Sequence, residues 1–470
     1  SQDGLSAVPN GRGPGGSVNR AGLRISGTAW GNFIGPGNII SGNLGDGIGL
    51  DPGQVLLPNF IAGNLIGLGS APAEVGNAES GIVVDTRPKT SGPGFNNPTG
   101  ISAIIGPGNT ISDNQGAPSS SDLDLQTDSA AGITITGNSD AVRVFGNVIG
   151  LATFPAGATP LGQINFGNSG NGLLISAPNT QITNNLILAN GRHGIVLRSS
   201  GTTGTVVRGN FIGVSPPTGL DPLIGLGNIG DGIHISGASS NVIGGPAPSD
   251  ANVIAGNRRN GIALRNGGQN NGWANLFQRN RIFGNARSGT GIGIDLERTA
   301  NNSDPLDQLE NPGLNYANYD QHRPAVCGGA DAPPACTTAD SPSSGGGSTG
   351  LQWTVVNRPN STIRVEFFAQ AADGSDQIYL GERIVDTDAA GLPNGAGCTD
   401  GVCSATLGGG NLAGMQVVAT STDLFPADVP PLGNQPVPTP LTPANNTSEF
   451  STPVAITPRL EISTPSPLPG

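Results

Sequence analysis

Few residues in this chain combine the side-chain type and the spacing that acid–base chemistry needs. His193 directly precedes a Gly, and His234 lies in another short apolar run that begins with Gly. Cleavage of a glycosidic bond needs two carboxyl groups that converge on it. Asp46, Asp85 and Asp231 instead lie far apart along the chain. The sequence therefore favours exposed polar positions on strands, and not a catalytic role, for both histidines.

A second group of residues has the chemistry of a calcium site. Four carboxylates lie close in sequence beside several Asn residues, at Asp295, Asp304, Asp307 and Glu310. Ca²⁺ takes six to eight oxygen ligands from carboxylates and amides. The spacing is not that of an EF-hand loop. A structural Ca²⁺ site is one interpretation, and an ordinary solvated turn is the other.

Positive charge is concentrated in one stretch of an otherwise acidic chain. The six residues are Arg258, Arg259, Arg265, Arg279, Arg281 and Arg287. Such a patch could bind an acidic partner surface or an anionic glycan. A solvent-exposed Arg face with no ligand is the alternative.

The four cysteines all lie in the last third of the chain, at Cys327, Cys336, Cys398 and Cys403. Pairing of sequence neighbours, Cys327–Cys336 and Cys398–Cys403, is the simplest of three connectivities. A zinc site is the competing interpretation, but no CxxC motif or flanking His supports it. Disulfides indicate an oxidising compartment.

Composition narrows the class of protein. The chain of 470 residues has 77 Gly and 39 Pro, with only 11% charged residues. A net charge of -12 argues against a nucleic-acid partner, which needs a basic face. No apolar run approaches the roughly 18 residues of a membrane span. Because the chain starts at Ser1 without Met, we expect a processed or trimmed N-terminus.

Two short signatures alternate along residues 22–326. The first is Gly-Asn before an apolar pair, at residues 31–35, 63–67, 146–150 and 209–213. The second is Gly before alternating apolar residues, at residues 47–50, 81–84, 132–135, 194–197, 232–235, 261–264 and 291–294. The runs are too short for helices and are rich in Ile and Val, as strands are.

Repetition at 22 to 30 residues indicates a solenoid. We predict an all-β chain whose larger part is a right-handed parallel β-helix, with each strand about 4.8 Å from its equivalent in the next coil. Asn at the corners would hydrogen-bond to its stacked neighbour, and Gly would supply positive φ. About a dozen coils would form a rod roughly 55 Å long. Pro- and Gly-rich inserts such as 152–162 and 215–225 would project as loops.

The remainder of the chain has a different pattern. We predict that residues 327–350 form a linker and that residues 458–470 form a Pro-rich tail. Between them we predict six strands of an immunoglobulin-like β-sandwich, at 351–356, 362–370, 377–386, 403–407, 415–422 and 449–456. We expect this module, 351–457, to cover the strand edges of the last coil. The Gly-rich segment 1–21 looks too weak to protect the first coil.

Four motifs between residues 293 and 451 occur together in one class of protein. They are GIDL at 293–296, DQHRP at 320–324, STIRVEFFA at 361–369 and NTSEFS at 446–451. In these motifs and in its coils the chain resembles secreted bacterial right-handed parallel β-helix proteins of the CSLREA type, which carry a C-terminal sandwich. The resemblance implies architecture and secretion, and it implies little about a ligand.

Three functions remain as hypotheses. The first is a non-catalytic extracellular structural or adhesive protein of a bacterial surface or matrix that self-associates end to end into filaments or binds other surface proteins. The second is a polysaccharide lyase or hydrolase that acts on acidic glycans. The third is a glycan-binding adhesin. No catalytic residue and no cofactor other than structural Ca²⁺ is predicted.

Overall fold

The computed structural model describes residues 21–27, 29–52, 57–68, 75–86, 100–116, 131–137, 141–151, 167–216, 227–265, 274–286, 293–297, 323–329, 336, 342–345, 348–356, 360–408, 412, 414–424, 445–448, 450–451 and 453–458. The chain divides into two compact units, one before and one after the segment near residues 308–320. Among the described residues, no helix has the length and hydropathy of a membrane span.

The first unit is a parallel β-helix with three stacked sheets, as the sequence predicts. Sheet A contains, in spatial order, β1 (Leu23–Gly27), β4 (Ile48–Pro52), β7 (Ile82–Asp85), β10 (Ala131–Thr136), β13 (Asn171–Ser176), β16 (Ile195–Arg198), β19 (Ile233–Ser236), β22 (Ile262–Arg265) and β25 (Ile294–Glu297). Sheet B contains β2 (Phe33–Ile34), β5 (Asn59–Ile61), β8 (Ile101–Ile105), β11 (Ala141–Phe145), β14 (Gln181–Thr183), β17 (Val206–Arg208), β20 (Val242–Gly244) and β23 (Leu276–Gln278). Sheet C contains β3 (Ile39–Ile40), β6 (Leu65–Ile66), β9 (Thr110–Ile111), β12 (Val148–Ile149), β15 (Leu186–Ile187), β18 (Phe211–Ile212), β21 (Val253–Ala255) and β24 (Arg281–Phe283).

The core of this unit is made of stacked inward side chains. Ile195, Ile233 and Ile262 occupy the same register position in consecutive strands of sheet A, and all three are fully buried. Branched side chains that stack at about 4.8 Å pack closely in the narrow interior. Because the strand period is two, the residue after each of these positions faces outward. The register of the Ile ladder therefore also decides which outward residues stack on one another.

Two corners of the coil are held by Asn ladders. In each ladder the side-chain Nδ2 of one Asn donates to Oδ1 of the Asn in the following coil, over 2.8–3.0 Å. The corner between sheets B and C uses Asn38, Asn64, Asn109, Asn147, Asn185, Asn210, Asn252 and Asn280. The corner between sheets C and A uses Asn43, Asn77, Asn114, Asn168, Asn190, Asn228, Asn257 and Asn285. The predicted stacking of corner Asn residues is confirmed.

The Gly residues of the two signatures have different roles. Gly209, in the Gly-Asn signature, has a φ of +64°, the left-handed backbone that the sequence predicts for corners. Gly194, in the second signature, does not have positive φ. A Cβ there would lie 2.6 Å from the carbonyl oxygen of Gly232 and 2.8 Å from Cγ2 of Ile212. In the second signature Gly is therefore required by close packing and not by backbone conformation.

The described part of the β-helix has fewer coils than the sequence suggests. Sheet A has nine described strands, and sheets B and C have eight each, in place of about a dozen. Nine strands at 4.8 Å span about 38 Å. The estimate was wrong because strand pairs are separated by long inserts, which use residues without adding a coil. For example, Ala131 pairs with Asn171, 40 residues later in the sequence.

The second unit consists of two mainly antiparallel sheets that enclose one core, as a sandwich does. One sheet contains β26 (Ala325–Val326), β27 (Ser343–Gly345), β28 (Ser348–Thr354), β32 (Cys398–Thr399), β33 (Val402–Gly408) and β37 (Thr457–Pro458). The other contains β29 (Thr362–Gln370), β30 (Gln377–Thr387), β31 (Pro393–Asn394), β34 (Gln416–Leu424), β35 (Asn445–Thr447) and β36 (Val454–Ala455).

The core of the sandwich is built around two large aromatic side chains. Trp353 of β28 and Phe367 of β29 are fully buried and pack edge to face, with ring centroids 5.7 Å apart. Strands β26 and β27 begin before residue 351, where the sequence places the start of this module. They are short and partly Gly- and Ser-rich, so they lack the alternating apolar pattern by which strands are recognised. That the sandwich covers the strand edges of the last coil stays a prediction.

Candidate functional site

The most distinctive polar cluster lies on the outer face of sheet A. His193 and Asp231 occupy equivalent positions in neighbouring coils, each two residues before a core Ile of β16 or β19. His234 is the second residue of β19, so its side chain faces outward between two inward Ile residues. The register of the Ile ladder thus brings two imidazoles and one carboxylate together from two coils.

The three side chains are in direct contact. Oδ2 of Asp231 lies 2.9 Å from Nδ1 of His234 and 3.2 Å from Nδ1 of His193. The two imidazole rings lie 4.4 Å apart, centroid to centroid. The side chains are 3%, 0% and 1% exposed for His193, Asp231 and His234. Among the described residues, no other three His, Cys, Asp or Glu side chains form a group that could hold a metal ion.

Backbone and amide groups from adjacent coils fix the orientation of the cluster. The backbone N–H of Asn260 donates to Oδ1 of Asp231 over 3.0 Å, which leaves Oδ2 for the two histidines. The backbone N–H of Asp231 donates to Nδ1 of His193 over 3.0 Å. One coil earlier, Oδ1 of Asn171 accepts the backbone N–H of His193 over 3.1 Å. The residues that precede Gly in the second signature of successive coils therefore form a column of polar contacts along sheet A.

Burial and mutual contact shift the protonation equilibria of this cluster. Burial lowers the pKa of His234 to about 4, and the adjacent His193 adds to the effect. Burial by itself raises the pKa of Asp231, but the contacts with both imidazoles outweigh it and hold that pKa well below its usual range. At neutral pH, Asp231 is therefore a carboxylate and His234 a neutral imidazole. Because a carboxylate can only accept, His234 donates through Nδ1.

The expectation that both histidines are exposed polar residues was wrong. The sequence does not bring His193 and Asp231 together, because they lie 38 positions apart. Alignment of Gly194 with Gly232, which opens the same signature in the next coil, is the signal in the sequence that places His193 beside Asp231. The prediction that Asp46 and Asp231 do not converge is confirmed, since their strands, β4 and β19, are five positions apart in sheet A.

The predicted calcium ligands are only partly visible in the structure. Asp295 lies in β25 and is buried, and its Oδ2 accepts a hydrogen bond from Nδ2 of Asn260 over 2.8 Å. Asp304, Asp307 and Glu310 lie outside the described residues. The calcium site therefore stays a prediction.

The predicted Arg patch is spread over several sides of the coil. Arg258 and Arg259 lie at the corner before β22, and the buried Arg265 ends β22 in sheet A. Arg279 lies between sheets B and C and donates to the carbonyl of Pro246, while Arg281 lies in sheet C with its guanidinium 5.5 Å from the ring centre of Phe283. Arg287 is outside the described residues. The five described residues do not share one sheet face, and their role as a binding patch stays a prediction.

The cysteines pair as sequence neighbours. The structure joins Cys327 to Cys336 and Cys398 to Cys403. Among the described residues no free cysteine remains. Both disulfides belong to the second unit, where they link residues nine and five positions apart.

Comparison with known proteins does not identify a relative. No protein-family model matches the chain, and no curated protein matches it. These two comparisons therefore assign neither a family nor a function to the chain.

Proposed function

We propose that this protein is a non-catalytic extracellular structural or adhesive protein, and that it self-associates through the first coil of its β-helix. Its membership of the CSLREA-type family of secreted β-helix proteins is part of the same proposal. The two disulfides support an oxidising, extracellular location.

The observation that carries the proposal is the exposed apolar surface of the first coil. Eight large apolar side chains are exposed among the described residues, and five of them lie between residues 30 and 57: Trp30, Phe33, Ile39 and Leu44 in or directly after the first coil, and Leu57 beside it in the second. Phe33 is 62% exposed and Ile39 46%. Apolar side chains concentrated in this way favour a binding surface over solvent exposure.

Hydrogen-bonding groups at the same end support a second copy of the chain as the partner. Among the described strands, β1, β2 and β3 lie at the edges of the three sheets, and an open edge is a template for another strand. In both Asn ladders the donors point toward later coils, so the exposed Asn38 presents its acceptor at this end. Donor groups of a second copy could pair with this acceptor and with the strand edges at the same end.

The proposal is tested by sedimentation velocity and negative-stain microscopy over a range of concentrations. We expect the wild-type chain to form oligomers or filaments, and Phe33→Glu combined with Ile39→Glu to be monomeric. Ile384→Glu is the matched control, since Ile384 is 54% exposed but lies in the sandwich. A wild-type chain that stays monomeric at high concentration, or a control that dissociates equally well, would contradict self-association.

Binding to a glycan array distinguishes adhesion from self-assembly. If the monomeric wild-type chain binds a glycan and the Phe33→Glu, Ile39→Glu variant does not, the first coil is an adhesive surface for carbohydrate. Release of unsaturated or reducing sugars from acidic polysaccharides would refute a non-catalytic function.

A further inference from the structure

We propose that His193, Asp231 and His234 form a binding site for one divalent transition-metal ion, with Zn²⁺ as the preferred metal, and that the ion joins two neighbouring coils. The proposal does not depend on self-association, since the cluster lies in later coils than the exposed first-coil surface.

The distances within the cluster are close to those of a ligand set. Zn²⁺ binds imidazole nitrogen and carboxylate oxygen at about 2.0–2.2 Å, and tetrahedral angles then place ligand atoms roughly 3.3 Å apart. The two distances from Asp231 Oδ2 to the imidazole Nδ1 atoms are 3.2 and 2.9 Å. One candidate ligand atom from each of the three residues lies within 4.8 Å of the others. Shifts of a few tenths of an ångström would open the space that an ion needs.

The hydrogen bonds around His193 indicate a place for a cation. Nδ1 of His193 accepts the backbone N–H of Asp231, so this nitrogen carries a lone pair. The same nitrogen lies 3.2 Å from the carboxylate Oδ2, which has only lone pairs to present. Both atoms can serve as metal ligands, and an ion bound to both would take the place of the hydrogen bond from the Asp231 N–H.

The ligand types select the metal. Two imidazoles and one carboxylate suit Zn²⁺ and its first-row neighbours, whereas Ca²⁺ and Mg²⁺ prefer sites made of oxygen. When the ion binds, the Nδ1 proton of His234 moves to Nε2, so the ring stays neutral and no proton is lost.

The surroundings suit a structural ion. The hydrogen bond from Asn260 N–H to Asp231 Oδ1 leaves Oδ2 oriented toward the histidines, as second-shell contacts do in metal sites. Parallel pairing of β16 with β19 holds His193 against Asp231 and His234 before any metal arrives. The near-complete burial of all three side chains excludes a large substrate, so the expected effect of the ion is on stability and not on catalysis.

The test is metal binding by the full chain after chelation and dialysis. We expect isothermal titration with Zn²⁺ and elemental analysis to give one equivalent per chain, Co²⁺ to give the visible d–d bands of a low-symmetry nitrogen and oxygen site, and the melting temperature to rise by a few degrees. His193→Asn, Asp231→Asn and His234→Gln should each lose most of the bound metal. His322→Gln is the matched control, because His322 is the third and last histidine of the chain.

Folding has to be separated from binding. Each variant is therefore checked by far-ultraviolet circular dichroism, and His234→Gln is chosen because the amide can still donate to Asp231. A folded His234→Gln that binds Zn²⁺ as tightly as wild type would overturn the proposal. Less than a tenth of an equivalent of Zn²⁺ in the wild-type chain at micromolar free metal would also overturn it, and would leave the cluster as a hydrogen-bonded network only.

Discussion

Substitution of Asn210 by Ala tests how much of the β-helix depends on its Asn ladders. Oδ1 of Asn210 accepts both the backbone N–H and the side-chain Nδ2 of Asn185, and its own Nδ2 donates to Asn252 and to the carbonyls of Ile182 and Arg208. Asn210 is fully buried. The Ala variant leaves the backbone N–H of Asn185 without its acceptor and removes the side-chain donor to the carbonyls of Ile182 and Arg208, whereas Nδ2 of Asn185 keeps two carbonyl acceptors. Each buried unsatisfied group costs about 1–3 kcal/mol, so we expect the free energy of unfolding to fall by roughly 2–6 kcal/mol.

Asn38→Ala provides the matched control. Asn38 is the first member of the same ladder and makes one described side-chain bond, to Asn64, at an exposed position. Water can replace that bond, so the expected loss is below about 1 kcal/mol. The two variants remove the same atoms, and only their place in the ladder differs.

Hydrogen exchange read by mass spectrometry measures the effect locally, which matters because the chain has two units. In Asn210→Ala we expect the amides of β14, β17 and β20 to exchange about 30-fold faster or more. The sandwich strand β29 should be unchanged. If Asn210→Ala and Asn38→Ala accelerate exchange equally, or if neither does, the ladder does not stabilise the coil and the reasoning fails.

Two further predictions concern single positions in sheet A. Gly194→Ala should lower the melting temperature of the β-helix by several degrees, because the new Cβ would overlap the Gly232 carbonyl. Gly201→Ala is the control and should not lower it, since a Cβ there would have no atom within 4 Å. Equal melting temperatures of the two variants would contradict the packing argument. Burial and the charge of Glu79 raise the pKa of Asp46 to about 6, so the stability that its protonated form contributes is present below pH 3.8 and lost as pH rises through 6. Asp46→Asn should therefore match wild type near pH 4 in thermal melts and exceed it by roughly 1–2 kcal/mol at pH 7.5, after allowance for solvent screening; a difference that does not change with pH would refute this.

Local chemistry in the sequence determined the architecture of both units. Asn before each short apolar run predicts a corner whose side chain bonds to its neighbour, and the ladders confirm it. Thr362–Gln370 was predicted to the residue as a strand, because alternation is strong over nine positions. These features repeat along the chain or extend over many residues. The sequence pattern therefore predicts them even when it is not known which segments pair.

Tertiary structure alone decided which residues meet. His193 and Asp231 contact each other because the strands that follow them pair in register, and an insert of variable length hides that register from the sequence. The same inserts led to an estimate of about a dozen coils, where sheet A has nine described strands. The packing role of Gly194 also depends on an oxygen one coil away. The repeat of a solenoid is visible in its sequence. Only the stacking of coils, however, brings together the outward side chains that could bind a metal or a partner.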